Sequence, residues 1–321
     1  MSTQSASTRL SRELIGALVV FALFAGLPVL ADAMGDTFVV FFTIRIMVFA
    51  IAAVSLSLIL GYGAMVSFGH AAYLGLGAYS VAILAEHGIW DVTVSLPVTL
   101  AVCGLFALVT GAISLKTRGV YFIMITLAFG QMAYYTATSL SAYGGDDGLT
   151  MWGRTEILGS TALGDRTVFY YVVLGCLLTC YLLARMIVAS RFGRVLQGAK
   201  QSEMRLRAIG IDPYAYRLVA YVIAGMMAGL AGALLANAAE FVSPAYMSWH
   251  RSGELIVMVV LGGLGSLLGA IVGAASFLVL EEVLSHFTEH WRLIFGPFLV
   301  LVVLFGRGGL ISLLPGGRKN G

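Results

Sequence analysis

Charged side chains in this sequence sit at the ends of long apolar runs and almost never inside them. The runs Leu14–Leu30, Phe38–Leu60, Val92–Leu115, Val120–Leu140 and Thr167–Ala189 carry only two charges between them, Arg45 and Arg185. A helix needs about 20 apolar residues to cross the hydrocarbon core of a bilayer. Inside lipid every backbone N–H and C=O must find a partner within the protein, which a helix supplies from its own segment. Charged residues make up 11% of the chain, against about 25% in a soluble domain. The chain therefore reads as an all-α polytopic membrane protein. No polar linker divides it, so residues 1–321 read as a single membrane domain. The net charge of +3 gives no reason to expect nucleic acid.

The polar segments set the expected orientation. Residues 191–217 hold six basic side chains (Arg191, Arg194, Lys200, Arg205, Arg207, Arg217) against Glu203 and Asp212. Residues 141–166 hold Asp146, Asp147, Glu156 and Asp165 against Arg154 and Arg166. Basic loops stay on the cytoplasmic side, so the first segment is expected inside and the second outside. Ala31-Asp32-Ala33 resembles a signal-peptidase site, but the run before it exceeds a signal core of about 7–15 residues. An uncleaved first helix with a cytosolic N-terminus is expected. Further helices are expected to about Leu84, over Leu218–Glu240, over Leu267–Leu284 and over Leu293–Phe305. A piece at Glu254–Leu264, too short to span, ends at Gly262-Gly263-Leu264-Gly265. Counting that short or re-entrant piece gives about ten membrane segments. Both termini, including Arg318 and Lys319, then lie in the cytosol of a cell (inner) membrane. Segments two to five and seven to ten would form inverted four-helix repeats, as recur in transporters.

Small residues mark where helices approach. Gly225 and Gly229, Ala228 and Gly232, and the series Gly265, Gly269, Gly273 recur at four-residue spacing, which lets membrane helices pack closely. A second glycine-dense stretch runs from Gly61 to Tyr79. Within it Ser67, Phe68, Gly69, His70, Tyr73, Gly75 and Gly77 are candidates to line or gate a passage. Backbone left uncovered by glycine is tolerable at membrane depth only in protein or beside water. Plain close packing explains the same glycines equally well.

The polar segment also carries a helix-break-helix signal. Ser202 and Glu203 fall in a short helical run ending at Gly210, the residue type that accepts a left-handed backbone past a helix end. Asp212 then stands as an N-cap with Pro213 at the first helical position. A short cytosolic helix joined this way to a tightly packed spanning helix can pass a push from a soluble partner into the bilayer. The residues singled out for that contact are Glu203, Ala208, Ile209, Gly210 and Ile211.

Other patterns mislead. Gly193–Lys200 resembles a phosphate-binding loop, but Ala199 stands where Gly should precede Lys and no strand comes before it. No nucleotide site and no cofactor is expected in the chain itself. His286-Phe287-Thr288-Glu289-His290 matches an inverted zinc-protease pattern, which would need a third ligand. After His290 the sequence has no Asp, Glu, His or Cys, so a polar helix end is the expectation and a membrane metalloenzyme the rival. Glu281-Glu282 and Asp146-Asp147 read as solvated ends. Arg45 is expected to snorkel to the outer interface about two turns away. Cys103, Cys176 and Cys180 read as small buried hydrophobes.

Three stretches carry a family resemblance: Gly193-Arg194 with Ser202-Glu203 and Ala208-Ile209-Gly210-Ile211; Ala228-Gly229-Leu230-Ala231-Gly232-Ala233-Leu234; and Ser67-Phe68-Gly69-His70-Ala71-Ala72-Tyr73-Leu74-Gly75-Leu76-Gly77-Ala78-Tyr79. They resemble the permeases of branched-chain amino acid ABC importers, the last being similar to the LivM type. The sequence departs from the family pattern at Arg205-Leu206. The resemblance implies an architecture like the vitamin B12 importer permeases. It also implies a LivH-type permease partner, two ATP-binding subunits and an extracytoplasmic substrate-binding protein. Alternating access would be driven by ATP that those partners bind, and the chain itself would be no enzyme. An ion-coupled secondary transporter is the other alternative, but it would want mid-membrane acidic residues, and the sequence offers no clear one.

Overall fold

A helix uniform in hydrophobicity all round belongs in the interior of a bundle, and the second apolar run takes that place. The computed structural model describes residues 3–35, 37–157 and 159–287, with positions 290, 293, 295–297, 309 and 310 beyond them. In it α1 (Thr3–Met34) precedes α2 (Thr37–Gly61), and every residue of α2 from Ile46 to Gly61 is buried. There follow α3 (His70–Glu86), α4 (Val92–Ser114), α5 (Val120–Ser139) and α6 (Arg166–Ala189). Two short helices, α7 (Arg191–Gln201) and α8 (Glu203–Ala208), lead to α9 (Pro213–Ala239), then α10 (Trp249–Gly262) and α11 (Leu267–Phe287). The only strands among the described residues are β1 (Leu149–Thr150) and β2 (Phe241–Val242), paired antiparallel with Leu149 opposite Val242.

Six of these helices, α2, α4, α5, α6, α9 and α11, are long and apolar enough to cross a membrane. The chain is thus a mostly helical, multi-pass membrane protein. α1 contributes a shorter apolar helix, Ile15–Ala31. The expected last helix, Leu293–Phe305, and the C-terminal Arg318 and Lys319 lie outside the described residues, apart from a few positions.

α2 and α9 form the centre. α9 packs against α2, α3 and α4, while α2 also takes α6, α10 and α11. Closeness on α9 comes from missing side chains. A Cβ on Gly232 would meet the carbonyl of Leu74, and one on Gly77 of α3 would meet the carbonyl of Gly229. Gly225 lies against Tyr73 and Ala107. The expected α9 seam of Gly225, Gly229 and Gly232 is therefore a three-helix contact.

The series Gly265, Gly269, Gly273 needs correction. Gly269 and Gly273 do lie on α11, against backbone of Gly262 and Met258 on α10. Gly265 lies before the helix, in the α10–α11 turn, with φ 87°. Its left-handed backbone cannot belong to a right-handed helix. Four-residue spacing alone could not separate a helix face from the turn preceding it.

α9 starts at Pro213, where the Asp212 cap and Pro213 were expected to start it, a turn and more before the apolar run at Leu218; Asp212 accepts from the Tyr214 N–H at 3.2 Å and starts the helix in water. Another boundary moved outward. α10 starts at Trp249 rather than Glu254, capped by Ser248. At 14 residues it rises about 21 Å, still short of a span. The polar run contains two helices where one was expected. Ser202, in extended conformation (φ −164°, ψ 110°), ends α7 and caps α8.

Candidate functional site

The two short helices gather charge at one end of the bundle. Glu203 opens α8, and its carboxylate accepts from Arg217 on α9 and from Arg118 in the α4–α5 link. The Glu203 side chain is 14% exposed and that of Arg118 67%. Arg217 also donates to the Ala199 carbonyl at 3.3 Å. One carboxylate thus ties α8 to two other parts of the bundle. Lys200 of α7 donates to the Gly61 carbonyl at 2.7 Å, at the end of α2. Past α8 the chain closes as the Gly210 pattern requires: Gly210 has φ 81°, its N–H bonds the Arg207 carbonyl at 3.0 Å, and Ile211 N–H bonds Leu206 at 3.0 Å. With Glu203 turned inward, the apolar groups this segment presents outward are Met204, 82% exposed, and Ile209, 70% exposed. Ala208 and Gly210 are exposed beside them, while Ile211 is half-buried. The sequence drew attention to Glu203 and missed Met204.

The candidates from Ser67 to Gly77 come together as a packed seam. Residues 62–69 break the helix between α2 and α3, with Ala64 at φ 55°. Ser67 is buried. His70 Nε2 lies 2.8 Å from Ser55 Oγ on α2, and the ring meets Tyr73 edge-on at 5.6 Å. The Tyr73 hydroxyl lies 3.1 Å from Thr110 Oγ1 on α4. Phe68, half-buried, donates its N–H to Thr126 Oγ1 on α5 at 3.3 Å. Gly69 lies against the Thr126 carbonyl and Gly75 against Met247. The stretch joins α2, α4, α5 and α9 through hydrogen bonds and close backbone approach.

Sequence reasoning overlooked the outward face of α5. This helix has the lowest mean hydropathy of the six, 1.3 against 2.0–2.4, and only 28% of its apolar window is buried. Its inward face (Phe122, Thr126, Gly130, Ala133, Ala137) packs on the bundle. Its outward face carries Gln131, Tyr135, Thr136 and Ser139 beside Met132 and Leu140 on a shallow, open and mostly apolar depression. Thr136 and Ser139 return hydrogen bonds to the carbonyls one turn back, at 2.7 Å each. A mid-helix Gln on an open face is costly against lipid. The signal was in the sequence: polar residues at 131, 135 and 139 share one helical stripe.

The opposite end of the bundle is stitched together. The Asn237 side chain on α9 accepts from Thr155 N–H at 2.8 Å and from its hydroxyl at 3.0 Å. Arg154 lies 3.5 Å from Glu240, donates to the Leu163 carbonyl at 3.1 Å and covers the Phe169 ring at 4.7 Å. Burial pulls its basicity down, and the Glu240 carboxylate opposes that pull. Arg45, expected to snorkel, lies 3.6 Å from Glu281 on α11, so two charges read separately from the sequence meet across the bundle. Arg251 and Glu254 pair at 2.6 Å nearby on α10. Among the described residues no three His, Cys, Asp or Glu side chains gather as metal ligands. Part of the His286–His290 pattern, Thr288 and Glu289, lies outside those residues.

Comparison with known proteins bears on this arrangement. The profile of the family described as branched-chain amino acid transport system / permease component matches residues 38–304. The high-affinity branched-chain amino acid transport permease protein LivM of Salmonella typhimurium strain LT2 is 26% identical, covering 83% of this chain and 68% of its own length. LivM of Escherichia coli K12 gives the same identity and coverage. A probable LivH permease protein of Methanocaldococcus jannaschii is 25% identical over 74% of this chain and 78% of its own. No solved structure gives a significant match.

Proposed function

Because this chain belongs to the permease-component family of branched-chain amino acid transport systems, we propose that it is one transmembrane subunit of an ATP-driven importer for branched-chain or related amino acids. The LivM-type resemblance read from Ser67–Tyr79 agrees with the relatives found. The reading includes a LivH-type permease beside it, two ATP-binding subunits below it and an extracytoplasmic binding protein above it. The chain would bind no cofactor of its own. The charge contrast between 191–217 and 141–166 supports an α7–α8 end in the cytosol. That contrast also favours cytosolic termini and an inner-membrane location.

One observation carries the mechanism: Glu203 fastens α8 to α9 and to the α4–α5 link while Met204 and Ile209 stand out from the surface. Exposed apolar side chains on a short, anchored helix suit insertion into a groove on a partner. The ATPase subunits are that partner. Their closure would press on α8, and the ion pairs would carry the displacement into α9. Substrate would pass along the polar stripe of α5, covered by the second permease, with the Ser67–Gly77 seam behind it as the gate.

The architecture proposed is ten membrane segments in two inverted repeats, of the vitamin B12 importer kind. Its support is an echo in element order. In each half a long central helix (α2, α9) leads through an irregular segment into a short helix (α3, α10) and then a long one (α4, α11). Replacing Ile209 by Asp, with Met204→Asp as a second variant, tests the coupling surface. The expected result is a chain that inserts normally but no longer co-purifies with its ATPases. Unchanged co-purification in both variants would remove α8 from the mechanism.

A further inference from the structure

Beside Glu203 lies a cavity of about 380 Å³, lined by the α4–α5 link (Leu115, Lys116, Arg118), α8 and the start of α9. Four cations, Lys116, Arg118, Arg207 and Arg217, face two carboxylates there, Glu203 and Asp212, leaving a surplus of two positive charges. The surplus can be located. Arg118 and Arg217 are engaged by Glu203, and Asp212 is engaged in capping α9. Lys116 and Arg207 have no acidic partner among the described residues.

The position of the cavity narrows the ligand. α4 ends at Ser114, and α9 begins at Pro213, a turn and more before its apolar run, so the cavity sits at headgroup level, just outside the apolar layer. Leu115 and Pro213 give it an apolar wall, and Tyr214 fixes its ring there by donating to the Ala112 carbonyl at 2.9 Å. A cationic pocket with an apolar wall at that level suits a group that is anionic at one end and greasy at the other. Guanidinium and ammonium groups both bind phosphate oxygens well, and basic pockets between spanning helices on the cytoplasmic side suit anionic headgroups.

We propose that this cavity is a binding site for the phosphate headgroup of an anionic lipid, held by Lys116 and Arg207. It rests on the orientation proposed above only for the leaflet, which is then the cytoplasmic one. The preference for basic residues on that side explains why cations are present. It does not explain why two unneutralised ones, both exposed, line the same half-open recess against an apolar wall.

The test uses the full chain in detergent, titrated with dioleoyl-phosphatidylglycerol or dioleoyl-phosphatidylcholine and read by native mass spectrometry. The parent should retain one phosphatidylglycerol about tenfold more tightly than phosphatidylcholine. K116Q/R207Q should lose that preference, and K116R/R207K should keep it. R191Q/R194Q removes the same charge elsewhere on this end and should leave the preference intact. Equal loss in that control would reduce the effect to general surface charge and overturn the proposal. Displacement of the lipid by millimolar inorganic phosphate would assign the site to a soluble anion and overturn the lipid source. Release of the ATPase subunits in K116Q/R207Q with lipid retention unchanged would assign the two cations to a protein contact, again overturning it. Because the assay reads lipid binding and not transport, its failure would leave the importer reading untouched.

Discussion

Gly77 on α3 and Gly229 on α9 meet backbone to backbone, so closely that a Cβ on Gly77 would overlap the Gly229 carbonyl. A Cβ on Gly229 would run into Cys103 of α4 from another side. Two helices therefore converge on one point of α9, and neither can withdraw without opening the core. Overpacking a filled core costs about 1–3 kcal/mol. Gly77→Ala and Gly229→Ala should each lower the melting temperature of the purified chain, and Gly77→Leu should prevent assembly. Gly253→Ala, where a Cβ would meet nothing within 4 Å, is the control and should be neutral. Equal stability of all these variants would remove the close contact.

Glu203→Gln keeps the shape of the side chain and removes the charge that Arg118 and Arg217 share. Hydrogen bonds to charged groups contribute roughly 1.5–3 kcal/mol each, less where one partner is as exposed as Arg118. The variant should insert normally and show a drop in transport-linked ATP hydrolysis in reconstituted vesicles. High salt should reproduce part of that drop in the parent. Hydrolysis at the parent rate would mean the ion pairs do not transmit the movement.

The outward stripe of α5 predicts a labelling pattern. Single cysteines at Gln131, Tyr135 and Ser139 in the assembled importer should react with a membrane-impermeant thiol reagent, and one at Ala133, on the packed face, should not. Added substrate should slow labelling at 131 and 135. Protection of all four positions would mean the stripe is sealed by protein rather than bathed by water.

Orientation has its own check. A cysteine at Thr150 should be labelled from outside intact cells, and one at Ser202 only after permeabilisation. The reverse result would invert the topology and remove the coupling role of α8 with it.

His70→Ala separates gating from packing in the central seam. Loss of the imidazole leaves Ser55 without its 2.8 Å partner in a buried place. If the seam gates passage, uptake should change several-fold while the complex assembles in normal yield. A loss of yield with unchanged uptake per assembled complex would leave packing alone.

What the sequence disclosed follows how local each signal is. Gly210, Asp212 and Pro213 announced their break because left-handed backbone, capping and proline geometry depend on neighbouring residues. The ends of α4, α5 and α6 were equally plain, because charge and hydropathy change there abruptly. The partners of Glu203 were not legible. Arg118 and Arg217 reach it through packing of elements distant in the chain, and nothing in the spelling of either says so. Arg45 and Glu281 were read apart for the same reason. Gly265 was placed on a helix because spacing repeats whether or not the backbone is helical. The face of α5 escaped notice because its polar stripe is sparse and becomes visible only once the other helices leave it uncovered.

The ties at the two ends of α9 have a mechanical consequence. Arg217 holds one end through Glu203, and Asn237 holds the other through Thr155. Under the coupling proposed above, a displacement of α8 would tilt α9 as a whole rather than bend one loop, and the facing glycine contacts would move with it. A push at α8 would then reach Thr155 and the segment around it, and docking at that far surface would be felt at α8 by the same route.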